Sequence, residues 1–322
     1  MKKILASFLK SKEIIVVVII IIFSLILSFG SSTFINKTNF ESLQTSIAPS
    51  AIIAVGMMIL LISGVFDLSV GAVMGLTGAV LSILLTNGVP VILAVIGSLG
   101  VGLIFGFFNG ALIAWVKVNP LIATIGTLFI GRGLTQALLR GEDSYGIKIN
   151  SQILMDIGAG KTFGVYNMFW IMIIIVSITQ FIISRVYAGK QLYYIGGNYE
   201  SARLAGIKVR KIRIISFVLS GFLAALAGIL ATSRFGISSK YLGENLQLQI
   251  IIACLIGGAS IAGGQGSIVG GLLGVVFMSL IVNLFNILEI SSFWQNIIVG
   301  FILIFVIFLD AFLSERRKKA SR

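Results

Sequence analysis

The 322-residue sequence contains no histidine, and Cys254 is its sole cysteine. A disulfide within the chain is therefore impossible, and a His/Cys metal site is excluded along with thiol–imidazole catalysis. Charge is scarce as well. Asp, Glu, Lys and Arg make up 11% of the residues, against roughly 25% in a soluble domain whose surface must face water. Only three prolines punctuate the chain, so long helices are permitted. The 37 glycines suit helices whose backbones approach one another closely.

What fills the chain is apolar: 57% of it is hydrophobic, in runs that reach the roughly 20 residues needed to cross a bilayer. The expected fold is an all-α integral membrane protein, a single transmembrane domain over 1–322 in contact with membrane lipid. About ten spans fit, near 14–30, 48–64, 68–86, 90–116, 120–139, 166–187, 212–232, 246–262, 267–287 and 293–312. The segment 90–116 is over-long and must tilt, kink or project. The apolar run after Lys2, Lys3, Lys10 and Lys12 reads as an uncleaved first span, since no small-x-small cleavage site is evident.

The net charge of +13 would suit a nucleic acid if it formed a stripe. Instead the basic residues cluster between apolar runs, which points to orientation in a membrane and to no nucleic-acid partner. Lys and Arg concentrate in 1–13, at Lys117, in 184–213 and in 314–322, against scattered ones at Lys37, Arg140, Lys148, Lys161, Arg234 and Lys240. The positive-inside bias then puts both termini and a loop at about 188–211 in the cytoplasm, with an outer loop at about 140–165.

Four local patterns matter. Gly158-Ala-Gly-Lys-Thr162 imitates the end of a phosphate-binding loop, but Met155 stands where the pattern needs glycine and no soluble strand precedes it. Asp67 in Gly64-Val-Phe-Asp-Leu-Ser-Val-Gly71 is a carboxylate beside an apolar run. It either caps the following helix or lines and gates a pathway, with Ser69 beside it. Asn119-Pro120 is a helix start, and Thr124 and Thr127 share a face beyond it. These three polar residues are candidates to line or border a pathway for a neutral solute. Arg132, in the same span, either snorkels outward or pairs with Asp67 or a water. Glycines at four-residue spacing (Gly71/Gly75, Gly102/Gly106/Gly110, Gly266/Gly270/Gly274) form close-packing ridges. Leu61-Ile-Ser-Gly-Val65 is echoed by Leu255-Ile-Gly-Gly-Ala259, a hint of internal repetition.

The largest cytoplasmic loop holds Gly196-Gly-Asn-Tyr-Glu-Ser-Ala-Arg-Leu-Ala-Gly-Ile207. Asn198 can cap a helix, Glu200 complements its positive end, and Gly206 can close it in a left-handed conformation. About two turns result, too few to stand alone in water. Either this is an ordinary positive-inside loop or the short helix docks on another protein.

This segment resembles the Gly-Gly-Asn-x-x-Ala-Ala-Arg-Leu-Ser-Gly-Ile pattern of the transmembrane subunits of bacterial ribose-type ABC importers, a group that also serves xylose, galactose and autoinducer 2. The resemblance extends to Gly64–Gly71, Asn119–Gly133 and Ile256–Gly266 in the same order, and covers nearly the whole chain. It implies a type II ABC importer-like permease in the bacterial cell membrane. The implied partners are cytosolic ABC ATPase subunits, an extracytoplasmic solute-binding protein and a second permease, identical or paralogous. Gly197, Asn198, Glu200, Ala202, Arg203, Leu204 and Gly206 would seat in the ATPase, and the chain itself would need no cofactor. Gln247 and Gln249 depart from the acidic residues common before the last glycine motif. The rival reading, an ion-coupled secondary transporter, has Asp67, Arg132 and Glu289 as its candidate ionisable groups. A membrane enzyme would need a dyad, a metal site or a lysine inside a span, and none is evident.

Overall fold

The computed structural model describes residues 12–140 and 146–320, with only the backbone for Lys12 and 313–320. Lys2, Lys3 and Lys10, the tip of the outer loop at 141–145 and the basic side chains of the C-terminal cluster lie outside the described residues. The charge argument for orientation rests here on the internal loops.

A helix forms at each expected span: α1 (Lys12–Gly30), α2 (Lys37–Ile62), α3 (Val70–Thr86), α4 (Val91–Ala111), α5 (Pro120–Leu138), α7 (Asn167–Arg185), α10 (Val209–Phe235), α11 (Leu246–Ile256), α12 (Ile268–Ile287) and α13 (Ser292–Ala320). Short helices α6 (Gln152–Gly158), α8 (Tyr187–Gly197) and α9 (Tyr199–Leu204) occupy the loops, and Lys161–Thr162 pairs with Val165–Tyr166 in a small hairpin. Eight of these helices, with α4 taken on to Val116, are long and apolar enough to cross a membrane; α3 and α11 are the shorter apolar ones.

Two boundaries differ from expectation for physical reasons. The eighth expected span, 246–262, stops at Ile256 because Gly258 takes a left-handed φ of 96° and turns the chain. Its 11 residues reach about 16 Å, half the apolar thickness of a bilayer. The over-long 90–116 segment does not run on as one α-helix. Its last five residues, Leu112–Val116, form a π-helical turn that ends at Lys117, left-handed at φ 65°. Such a turn widens the helix locally and tends to mark functional positions.

The core centres on α2, whose residues are buried almost without break from Ile47 to Ser63. Against it lie α7, α10, α11 and α12. The glycine ridges pack closely, except that Gly266 lies before α12 at φ 129° and is not part of its ridge. A methyl group on Gly102 would collide with the carbonyl of Gly221, and one on Gly221 with the carbonyl of Gly102, so α4 and α10 touch backbone to backbone. Gly71 and Gly75 let α3 sit on the 242–243 backbone in the same way, and Gly270 and Gly274 bring α12 onto α11. The internal echo is a shared helix ending. The N–H groups of Ser63, Gly64 and Val65 donate to the carbonyls of Ile59, Leu61 and Leu60. Those of Gly257, Gly258 and Ala259 donate to Ala253, Leu255 and Cys254 in the same offsets.

In the loop between α5 and α7, the phosphate-loop imitation is used up by its own backbone. The Gly160 N–H donates to the carbonyls of Met155 and Asp156, and Lys161 pairs with Glu41 at 2.7 Å. The hydrogen bond from Lys161 to Glu41 holds the ammonium pKa above its ordinary value.

Candidate coupling loop and buried polar chain

The loop between α7 and α10 folds around backbone needs that its sequence meets locally. Asn198 is extended at φ −158°, and its side chain accepts from the Ser201 N–H at 2.9 Å, starting α9. Gly206, at φ 81°, closes it: its N–H donates to the Arg203 carbonyl and that of Ile207 to Ala202. Ala202 is buried with Ile195 and Val209, anchoring one face. Glu200 pairs with Arg203 at 2.9 Å in the open, a contact worth at most about 0.5 kcal/mol. Leu204, at the tip, is 81% exposed. A six-residue helix with a bare leucine at its end is a shape that another surface would cover.

The base of this loop is tied to the core through backbone. Before α9 lies α8, which sequence reading does not single out, with Gly189, Leu192 and Ile195 buried on one face. That three-residue spacing was the available signal. At the end of α8, Gly196 lies so close to the Ile62 carbonyl that a side chain could not fit. The Ile62 carbonyl also accepts from the Gly264 N–H at 2.9 Å, and the Tyr193 hydroxyl donates to the Gly266 carbonyl at 2.8 Å. The base of the loop therefore meets the first echoed turn, at 62–64, and the glycine segment 263–266 at one junction.

On its other side, α9 faces the π-helical turn. The two enclose a groove of about 960 Å³ that brings Asn119 and Lys117 to the same face as Glu200 and Arg203. Asn119 caps α5, accepting from the Leu121 N–H at 2.9 Å.

The remaining candidates meet in a buried chain of hydrogen bonds. The Asp67 carboxylate accepts from the Ser69 N–H at 2.8 Å and from the Ser69 hydroxyl at 2.6 Å. Asn109 donates to the Ser69 hydroxyl at 3.0 Å, and Thr127 donates to Asn109 at 2.9 Å. All four are at least 98% buried. Asp67 thus holds the residue just before α3, while Asn109 ties α3, α4 and α5 together. Sequence reading missed Asn109, although a lone amide in a glycine-rich apolar run is itself a signal of interhelical bonding. Thr124 donates to the Pro120 carbonyl of its own helix at 2.8 Å.

Arg132 does not pair with Asp67. Its Nη1 donates to the Leu242 carbonyl at 2.8 Å, and it lines a cavity of about 460 Å³ with Arg140, Lys240 and Glu244. Gln247 is buried beside Gly71, while Gln249 lines a small cleft with Ser46, Ser50 and Ser279. Glu289 sits exposed in a turn at φ 54°. Asp310, which sequence reading passed over inside the last span, accepts from the Ser260 hydroxyl and the Ile261 N–H at 3.1 and 3.0 Å. It holds the second glycine turn. No group of three or more metal-ligating side chains exists among the described residues.

Comparison with known families places this geometry. The family described as branched-chain amino acid transport system, permease component, matches residues 39–307. The chain belongs to this permease family. The ribose import permease of Haemophilus influenzae is 33% identical to it, over 92% of this chain and 93% of that protein. The autoinducer 2 import system permease of Escherichia coli SMS-3-5 is 30% identical, over 97% of this chain and 92% of that protein. No solved structure matches the chain. The permease is a multi-pass protein of the bacterial cell membrane, and its four motifs all lie within the matched residues.

Proposed function

We propose that this permease forms the translocation pathway of an ATP-driven importer for a monosaccharide or a related small polar solute such as ribose or autoinducer 2. The observation that carries the reading is the capped helix α9. It exposes Leu204 while its base is locked to the 62–64 turn and the 263–266 segment, so a force on the loop reaches the helices that must move. Gly197, Asn198, Glu200, Ala202, Arg203, Leu204 and Gly206 would form the ATPase seat or support it.

The whole chain acts as one transmembrane domain of the type II importer kind. Its ten helices, the short α3 and α11 included, cross or enter the bilayer, and both termini are cytoplasmic. Two cytosolic ATPases drive it, a solute-binding protein delivers cargo from outside, and a second permease copy or paralogue completes the pathway. The chain itself does no covalent chemistry and needs no cofactor. Asp67, Ser69 and Thr127 border the pathway through their bonded chain and gate it by holding α3, α4 and α5 together. Asn119 and Thr124 flank that chain on the cytoplasmic side, and Arg132 does so on the outer side.

The ion-coupled alternative loses ground because Glu289 is exposed and Asp67 and Asp310 are already occupied as acceptors. Uptake into proteoliposomes holding the permease, its ATPase and its binding protein tests the reading. ATP-dependent, vanadate-sensitive entry that ionophores leave intact is expected, with competition by ribose and not by leucine. Entry without ATP that an ionophore abolishes would sink it.

A further inference from the structure

The groove between α9 and the π-helical turn has a composition that ATPase docking does not explain. Lys117, Lys208, Arg210, Lys211 and Arg213 all border it. Its one carboxylate, Glu200, is already paired with Arg203. The Arg213 guanidinium lies over the Tyr199 ring at 5.1 Å, and its Nε is buried with no hydrogen-bond acceptor among the described residues. The opposite wall is apolar, with Trp115 57% and Ile215 46% exposed. Three membrane-crossing helices end or begin here, so the groove sits at the bilayer surface. Val116 and Ile122, two-thirds exposed beside it, continue the apolar wall toward the lipid.

A ligand for this place needs a negative head against five cations and an apolar tail along the outer wall. We propose that the groove binds the headgroup of an anionic phospholipid from the cytoplasmic leaflet. A loop cation that merely obeys the positive-inside bias is solvated on its own, whereas these converge on one cavity of about 960 Å³ with an apolar side. The proposal requires only that this end of the permease lie at a membrane surface. It is independent of cargo, and it places the lipid beside the proposed ATPase seat, whose Glu200 and Arg203 share the groove wall.

The test uses the full chain with Trp170→Phe and Trp294→Phe, leaving Trp115 as the sole tryptophan reporter. The variant is placed in phosphatidylcholine vesicles, and tail-brominated phosphatidylglycerol or tail-brominated phosphatidylcholine is titrated in. Half-maximal quenching by the anionic lipid is expected at about a tenfold lower mole fraction than by the zwitterionic one. Adding Lys117→Gln, Arg210→Gln and Lys211→Gln should move the anionic curve onto the zwitterionic curve, while an unchanged zwitterionic curve shows that the variant is inserted and folded. Coincident curves without those three changes overturn the proposal. So does full displacement of the anionic lipid by saturating ATPase subunit, which would assign the groove to an acidic protein surface, or by millimolar inorganic phosphate.

Discussion

Asn109 carries more than its surroundings suggest, because it is donor and acceptor in one chain. It donates to Ser69 and accepts from Thr127, on helices that are otherwise held by apolar contact. Replacing it by Leu removes both interhelical bonds at once and buries the Ser69 hydroxyl without its donor, while Thr127 keeps only the Ala123 and Thr124 carbonyls of its own helix at 3.2 Å. Such a loss costs about 1–3 kcal/mol, and thermal unfolding of the detergent-solubilised permease should show a clear drop in Tm. Thr124→Val is the contrasting case. Its hydroxyl bonds to a carbonyl of its own helix, so its Tm should stay near that of the parent. Equal destabilisation by the two changes would mean that the chain through Asn109 is not a unit.

The same contrast shows where sequence reading reaches its limit at this scale. Asp67 was legible as a cap or a pathway group because a carboxylate beside an apolar run needs a reason. Thr124 and Thr127 were legible as sharing a face, since helical spacing alone sets that. Which neighbour the face meets depends on α4 and α3 packing against α5, and no local rule carries that information. Arg132 is similar: its partner, the Leu242 carbonyl, is 110 residues away.

At the scale of the element, the short helix α9 was almost wholly legible. Asn198 and Gly206 each have a local backbone role met within a few residues, and Glu200 pairs with Arg203 one turn on. Gly206 at φ 81° is the position where a side chain conflicts with the turn, and a β-branched residue there is strained by roughly 1 kcal/mol or more. Gly206→Val should leave membrane abundance normal while uptake is lost and less ATPase co-purifies. Full uptake by this variant would refute the cap. The side of the membrane can be read at the neighbouring Glu200→Cys. The native Cys254 is fully buried, so background labelling is low. An impermeant thiol reagent is expected to reach the new cysteine in inverted vesicles and not in intact cells. Labelling from outside would reverse the whole topology. The α8 helix was harder to see, because its buried face is short and sits in a loop rich in tyrosine and glycine.

Across the whole molecule, close packing through small residues replaces the hydrophobic drive that lipid does not supply between helices. The α4–α10 contact is the clearest case, and it provides its own control. Gly102→Leu should force the two helices apart and reduce the folded, membrane-inserted permease severalfold, because its side chain would meet the Gly221 carbonyl. Gly100→Leu, two residues away, has open space within 4 Å and should be tolerated. Comparable abundance of both variants in membranes would show that the ridge is not what holds the pair.

The apolar runs, the scarcity of charge and the placement of Lys and Arg were enough by themselves to make this a multi-pass helical membrane protein, and the ordered motifs were enough to identify its family. Those properties follow from transfer of side chains between water and lipid and from short-range backbone chemistry, both of which act within a few residues. The length of α11, the occupants of the Asp67 chain, the union of the 62–64 turn and the 263–266 segment with α8, and the convergence of five cations on one groove were decided only by tertiary structure. Each depends on which backbones come close enough for a carbonyl or a glycine to matter, and that proximity joins segments far apart in the chain.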